Sequence, residues 1–321
     1  MKTPVFLLGA GFNADVSIEI SPIEHRYPLT ADLAKKCFGI CSLPENKSIE
    51  DLFYEAVLQN NFTPIKTLYE LLMGADYYLT PLLKYGGDKE NNVYLTFLRN
   101  FESASFLTFN YDSLVEILLL SLNCWRPNDG YGIPVRAELR FLKDVPKLPE
   151  KSTSEVLHLH GSLCIYPSEN YIRQNHDSEI NLIELRDNPI FIFDPDSITN
   201  CFFPFGRHPT TGFRFIWERV IAPIPDKAEG LNDVFIQHVY KHALRILADA
   251  EVVVVIGYRF NLYDRDSYHR LLDATRALRI VLVVPEADRL QARLRNEYPN
   301  INWYSVPLTF REWVRRGYPG I

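Results

Sequence analysis

The stretch "VFLLGAGFN", Val5–Asn13, decides the fold: four apolar residues run directly into Gly9-Ala10-Gly11. A strand that ends in a glycine turn and then enters a helix presents backbone N–H groups at the helix N-terminus, where a phosphate is well placed. Gly9-x-Gly11-x-x-Ala14 also fits the relaxed form of the dinucleotide-binding spacing. Tight turns without any ligand produce the same short pattern, so the motif points to an α/β unit and leaves its ligand open.

The chain has 321 residues, 47% of them hydrophobic, which is enough for one large domain or two modest ones with a substantial core. A net charge of -6 gives no general attraction to nucleic acid or to an anionic membrane. The longest aliphatic run, "VVVVI" at Val252–Ile256, falls far short of the roughly 20 residues a membrane span needs. The opening "MKTPVFLLGAGF" reads as a buried first strand, since Pro4 interrupts it and no small-residue cleavage site follows a secretory-type core. Five scattered cysteines, Cys37, Cys41, Cys124, Cys164 and Cys201, lack C-x-x-C pairs. That usage predicts a reducing, cytoplasmic location with neither structural zinc nor another metal.

Outward from the first strand, "SFLTF" ending at Phe109, "EVVVVIG" ending at Gly257 and "IVLVVP" ending at Pro285 read as buried parallel strands. Helical patterns alternate with them: "DSLVEILLLSLN" follows the second strand, and "DVFIQHVYKHALRILADA" precedes the third with one apolar face. The expectation is a single α/β domain over 1–321, a Rossmann-like parallel sheet with helices on both faces. A helical insertion is expected within 45–100, and irregular loops or a small subdomain within 126–230, where prolines and glycines break every period.

A hydride-transferring dehydrogenase needs an acidic residue about 20 positions past the glycines, at the end of a second strand. Asp32 has that spacing, but "PLTADLAKKCF" reads as a helix with Thr30 at its N-cap, and Asp32 becomes a first-turn acid. The polar clusters lie elsewhere. "TFNYD" (Thr108–Asp112), "VLHLHGSL" (Val156–Leu163) and "VVVVIGYRFNLYD" (Val252–Asp264) each deliver polar residues at an apolar strand end, where an α/β sheet meets its ligand.

In this order the motifs resemble those of the sirtuin family, in its divergent bacterial branch found in anti-phage defence proteins. Gly9-Ala10-Gly11 resembles the family's phosphate loop, "TFNYD" its Thr-x-Asn-x-Asp segment, His160-Gly161 its catalytic pair and "IGYRFNLYD" its Gly-Tyr-Ser-x-x-Asp strand end. The matching segments run from Val5 to about Glu286. Asn13 stands where the family has Ser, Arg259 replaces a small residue, and Phe109 stands where deacylases have Gln. The four-cysteine zinc ribbon of sirtuin deacylases is missing from the sequence.

The resemblance implies NAD as substrate and cleavage of its nicotinamide–ribose bond to nicotinamide and ADP-ribose, with a protein deacylase or ADP-ribosyl transferase as the alternative. A nucleotide-binding sensor without turnover is the further alternative. Asn110 can donate to and accept from a ribose hydroxyl or water, and His160 can act as general base if its pKa is near neutral. Gly9, Ala10, Gly11, Phe12, Asn13, Thr108, Asp112, Gly257 and Tyr258 are the expected cofactor-binding residues, with Glu286 toward the adenosine end. Asp112 also suits a plain helix cap. His158 and His160, two apart on a strand, suit a metal less well because no third ligand is evident. Control through homo-oligomerisation or a separate protein partner is expected of an enzyme that consumes NAD, while neither a membrane nor a nucleic acid partner is indicated.

Overall fold

The first strand, β1 (Val5–Leu8), has four side chains and all four are buried. Successive residues of a strand point to opposite faces, so burial throughout requires cover on both sides. The computed structural model describes residues 3–16, 27–44, 47–85, 92–132, 136–137, 148–162, 165–166, 190–191, 227, 231 and 234–321. Within them, β1 is joined by β2 (Ser105–Thr108), β3 (Glu155–His158), β4 (Val252–Ile256), β5 (Arg279–Val283) and β6 (Trp303–Val306). These six strands form one sheet in the order β3-β2-β1-β4-β5-β6, and every neighbouring pair is parallel. This is the doubly wound order of a Rossmann-like α/β fold, which the apolar runs predicted.

The sheet changes winding direction between β1 and β4. Val5 pairs with Ser105 on one side and with Val253 on the other, so two strands far apart in sequence flank the glycine turn. Each of the central strands β1, β4 and β5 is buried along nearly its whole length.

Among the described residues, the α-helices between β1 and β2 are α1 (Thr30–Phe38), α2 (Ile49–Leu58), α3 (Thr63–Tyr85) and α4 (Val93–Asn100). Thr30 is the first residue of α1 and not its cap; the Leu29 N–H donates to the Asp32 carboxylate at 3.0 Å, which makes Asp32 the first-turn acid. At α2, Ser48 and Asp51 exchange hydrogen bonds as a capping box. The helical segment expected within 45–100 is present, but α4 belongs to the sheet crossover: the Phe97 ring lies 4.9 Å from Phe6 of β1 and 6.0 Å from Phe106 of β2. After β2 comes α5 (Leu114–Ser121), buried from Leu114 to Leu120.

Among the described residues that follow lie helices α6 (Val234–Asp249), α7 (Arg265–Ala274), α8 (Ala287–Glu297) and α9 (Phe310–Arg315). The irregular region expected within 126–230 falls largely outside the described residues, as do Cys164 and Cys201. Its described pieces include Arg136–Ala137, Ile165–Tyr166 and Ile190–Phe191, which pair into a small separate sheet. Among the described residues, no helix is long and apolar enough to cross a membrane.

Candidate functional site

The carboxyl ends of β1 and β4 open onto the crevice where open α/β sheets bind their ligands. Here the two turns interlock. The Gly9 N–H donates to the Ile256 carbonyl and the Gly11 N–H to the Gly257 carbonyl, both at 3.0 Å. A Cβ on Gly9 would lie 2.7 Å from Tyr258 Cα, and one on Gly11 would lie 2.8 Å from Gly257 Cα. Gly257 itself has φ +65, and a Cβ there would lie 2.1 Å from the Phe12 nitrogen. Close approach of one backbone to another is therefore what requires glycine at these positions.

This corrects the expectation of a turn with free donors. Gly9 and Gly11 spend their N–H groups on the β4 turn, and the Phe12 N–H donates to the Gly9 carbonyl at 2.9 Å. Phe12 is a core residue: it is buried, its ring lies 4.7 Å from Phe310, and its carbonyl accepts from the Tyr94 hydroxyl at 2.7 Å. Ala10 is the exposed member of the turn.

From β2, Asn110 reaches across to that turn. Its Nδ2 donates to the Gly9 carbonyl at 3.2 Å and to Asn13 Oδ1 at 3.3 Å. Its main chain is held on either side of the Cα: the N–H, in the peptide shared with Phe109, donates to Thr108 Oγ1 at 3.0 Å, and the carbonyl, in the peptide shared with Tyr111, accepts from His158 Nδ1 at 3.0 Å. Thr108 is thus a buried support for Asn110, not a ligand contact. Asn110 lines the cavity, and its Oδ1 accepts no hydrogen bond among the described residues, which leaves an acceptor available to a hydroxyl.

Asp112 combines both roles read for it in the sequence. One carboxylate oxygen accepts from Asn13 Nδ2 at 2.7 Å, and the other accepts from the Leu114 N–H at the start of α5 at 3.2 Å. Burial and the nearby Glu116 push its pKa up to about 6, against the lowering pull of the Leu114 N–H, His158 and Asn13.

His158 and His160, expected on one strand face, part company because β3 ends at His158 and Gly161 takes φ +82. His158 turns to α5, where its Nε2 lies 2.5 Å from Glu116 Oε1, an oxygen that also accepts from the Tyr131 hydroxyl at 3.1 Å. Burial lowers the His158 pKa, but the Glu116 carboxylate and the Asn110 carbonyl outweigh it and leave a net rise.

His160 faces the cavity instead. Its Nε2 lies 3.4 Å from Ser267 Oγ and 3.8 Å from Asp264 Oδ1, and its ring meets the edge of Phe109 at 4.8 Å. It is 3% exposed. Burial and the Lys227 ammonium push its pKa down to about 3, against the opposing pull of Asp264. A near-neutral base, the condition set by the sequence reading, is therefore not what the site holds. Lys227 pairs with Asp264, whose second oxygen accepts from the Tyr258 hydroxyl at 3.3 Å. Burial raises the Asp264 pKa, yet His160, Lys227 and Tyr258 together hold it below the usual carboxylate value. Tyr258 stacks on Phe109 with ring centroids 4.3 Å apart.

The cavity at this junction has a volume of about 550 Å³, the size of a small-molecule site. Gly9, Ala10, Gly11, Asn13, Asn110, Asp112, His160, Gly257 and Tyr258 all line it, as do Lys227 and Asp264. Apolar residues of α1–α3, including Leu33, Ile49, Phe53, Leu68 and Leu72, also line it. Glu286 is not among the lining residues; it pairs at the surface with Arg259 at 2.7 Å, both side chains at least half exposed. The neighbouring Val283, Val284 and Pro285 do reach the cavity.

Sequence reasoning missed Lys227, Glu116 and the clamp that His158 forms on Asn110, and gave Asp264 no role although it closes a quoted motif. No family model matches the chain, and no curated protein matches it.

Proposed function

We propose that this chain binds NAD in the cavity at the β1–β4 junction and hydrolyses its nicotinamide–ribose bond. The observation that carries the reading is Asn110: its main chain is held on either side of the Cα, its Nδ2 is spent on the glycine turn, and the residue lines a cavity shared with His160, with Oδ1 accepting no hydrogen bond among the described residues. A fixed acceptor at the carboxyl edge of β2 suits a ribose hydroxyl or the attacking water.

In the reaction the C1′–N bond breaks, nicotinamide leaves with the bonding electrons, and positive charge develops on the ribose. Water adds to C1′ and loses a proton. A pKa of about 3 makes His160 a poor base toward a neutral hydroxyl. Water that has added to a sugar cation is strongly acidic, so the neutral imidazole still suffices to accept its proton. Asp264 then lies 3.8 Å away to stabilise the imidazolium. Phe109 and Tyr258, stacked on each other in the cavity lining, supply an apolar surface that suits a site from which bulk water is kept.

A second reading, nucleotide binding without turnover, is favoured by the same depressed His160 pKa and by the Lys227–Asp264 pair beside it. The test is chromatography of NAD incubated with the purified chain and no added acceptor. Equal release of nicotinamide and ADP-ribose supports hydrolysis, whereas retained NAD with saturable binding supports the second reading.

A further inference from the structure

We infer that Glu116 and His158 form a buried positioning pair that fixes the Asn110 peptide, and through it the hydroxyl-facing amide, in the orientation turnover requires. The inference rests on the reading of Asn110 given under the proposed function.

The sequence around Glu116 is otherwise apolar: "LVEILLL" of α5 is buried from end to end, with Glu116 at 0% exposure. A carboxylate there is costly, and a buried ion pair stabilises a fold no better than apolar side chains of the same volume. Glu116 Oε2 adds to that cost, since it is buried without a hydrogen-bond partner among the described residues. Stability thus does not explain why the position is charged. The pair's contact toward the site does.

A carbonyl only accepts, so the 3.0 Å contact with the Asn110 oxygen requires hydrogen on His158 Nδ1. A carboxylate 2.5 Å from Nε2 keeps the ring in the plane that allows this, and the Tyr131 hydroxyl at 3.1 Å holds the carboxylate in turn. The chain of contacts runs from Tyr131 through Glu116 and His158 to the Asn110 peptide, and ends at the side chain that reaches Gly9. The Thr108 bond restrains the peptide before the Asn110 Cα and the His158 bond the peptide after it, so together they set the direction in which the side chain leaves the main chain. A displacement of about 1 Å in a reacting group costs on the order of a hundredfold in rate.

The two amide side chains separate the two ring nitrogens. Asparagine places its Nδ2 near the position of histidine Nδ1, and glutamine places its Nε2 near that of histidine Nε2. His158→Asn keeps the donor to Asn110, while His158→Gln keeps the contact with Glu116 and loses the clamp. In the 321-residue chain, kcat for nicotinamide release should fall about a hundredfold in His158→Gln with KM changed less than about threefold, and by under about tenfold in His158→Asn. Crystal structures of both variants should show the Asn110 carbonyl rotated in His158→Gln and in place in His158→Asn. Equal losses in both variants that track their melting temperatures, or an unmoved Asn110 peptide in His158→Gln, overturn the inference. If the parent chain releases no nicotinamide, the functional reading fails on its own, and the Asn110 peptide in the two crystal structures still decides for or against the positioning pair.

Discussion

Lowering the pH should cost the folded chain stability through His160, by an amount that follows from where its imidazole sits. The ring is 3% exposed and its pKa is held down to about 3 by burial and the Lys227 ammonium, against an ordinary value of about 6.5 in the unfolded chain. Between those two values the unfolded state binds a proton that the folded state refuses, so stability falls as the pH falls. At about 1.4 kcal/mol per pH unit, moving from pH 7 to pH 4.5 removes about 2.5 kcal/mol through this residue alone. Asp112 works in the opposite sense: its pKa of about 6 lies above the ordinary carboxylate value, so its contribution grows as the pH drops from 6 toward 4. A difference measurement separates the two. Urea unfolding of the parent and of His160→Gln at pH 7 and pH 4.5 should show the parent losing about 2.5 kcal/mol more than the variant over that interval. An equal loss in both proteins refutes the claim that His160 is buried in its neutral form.

Gly257→Ala should lower stability by about 3 kcal/mol or more, because its Cβ would meet the Phe12 nitrogen at 2.1 Å with φ at +65; an unchanged melting temperature would contradict the interlocked turns. Asn13→Asp replaces the donor 2.7 Å from Asp112 with a second acid, so the variant should be less stable than the parent by about 3 kcal/mol or more at pH 7 and recover toward pH 5, as thermal melts across that range would show. Glu286→Ala removes an exposed partner of Arg259 and should leave stability within about 0.5 kcal/mol and NAD affinity within about twofold; a larger loss of affinity by calorimetry would return Glu286 to the site.

Much of the sheet was legible in the sequence because a strand buried on both faces must be apolar throughout. Val5–Leu8, Val252–Ile256 and Arg279–Val283 show this directly. Trp303–Val306 escaped notice because it is an edge strand with Tyr304 exposed, which leaves only a short, mixed pattern. At the site, Asn110 and His160 were marked by their places at strand ends. The reason for the glycines was not: local spacing suggests free donors, whereas the Gly11 N–H is taken by the carbonyl of Gly257, a residue found only through the strand order. Glu116 and Lys227 act on residues 42 and 37 positions away; the lone acid in "LVEILLL" marks Glu116 as unusual, but neither sequence neighbourhood names the partner. The depressed pKa of His160 is likewise a property of the packed state.

The interlocked turns also determine which variants are informative. A side chain at Gly9 or Gly11 strikes the β4 turn before it strikes any ligand, so loss of binding there would report loss of fold. Asn110 is the cleaner probe, being partly exposed at the cavity wall and fixed through its main chain. The most direct measurement is therefore nicotinamide release from NAD by the parent and by Asn110→Ala, with NAD affinity and melting temperature recorded on the same samples. The account predicts release by the parent and a loss of at least about a hundredfold in the variant, with affinity and folding retained. Parent-like release by a folded Asn110→Ala chain would contradict it.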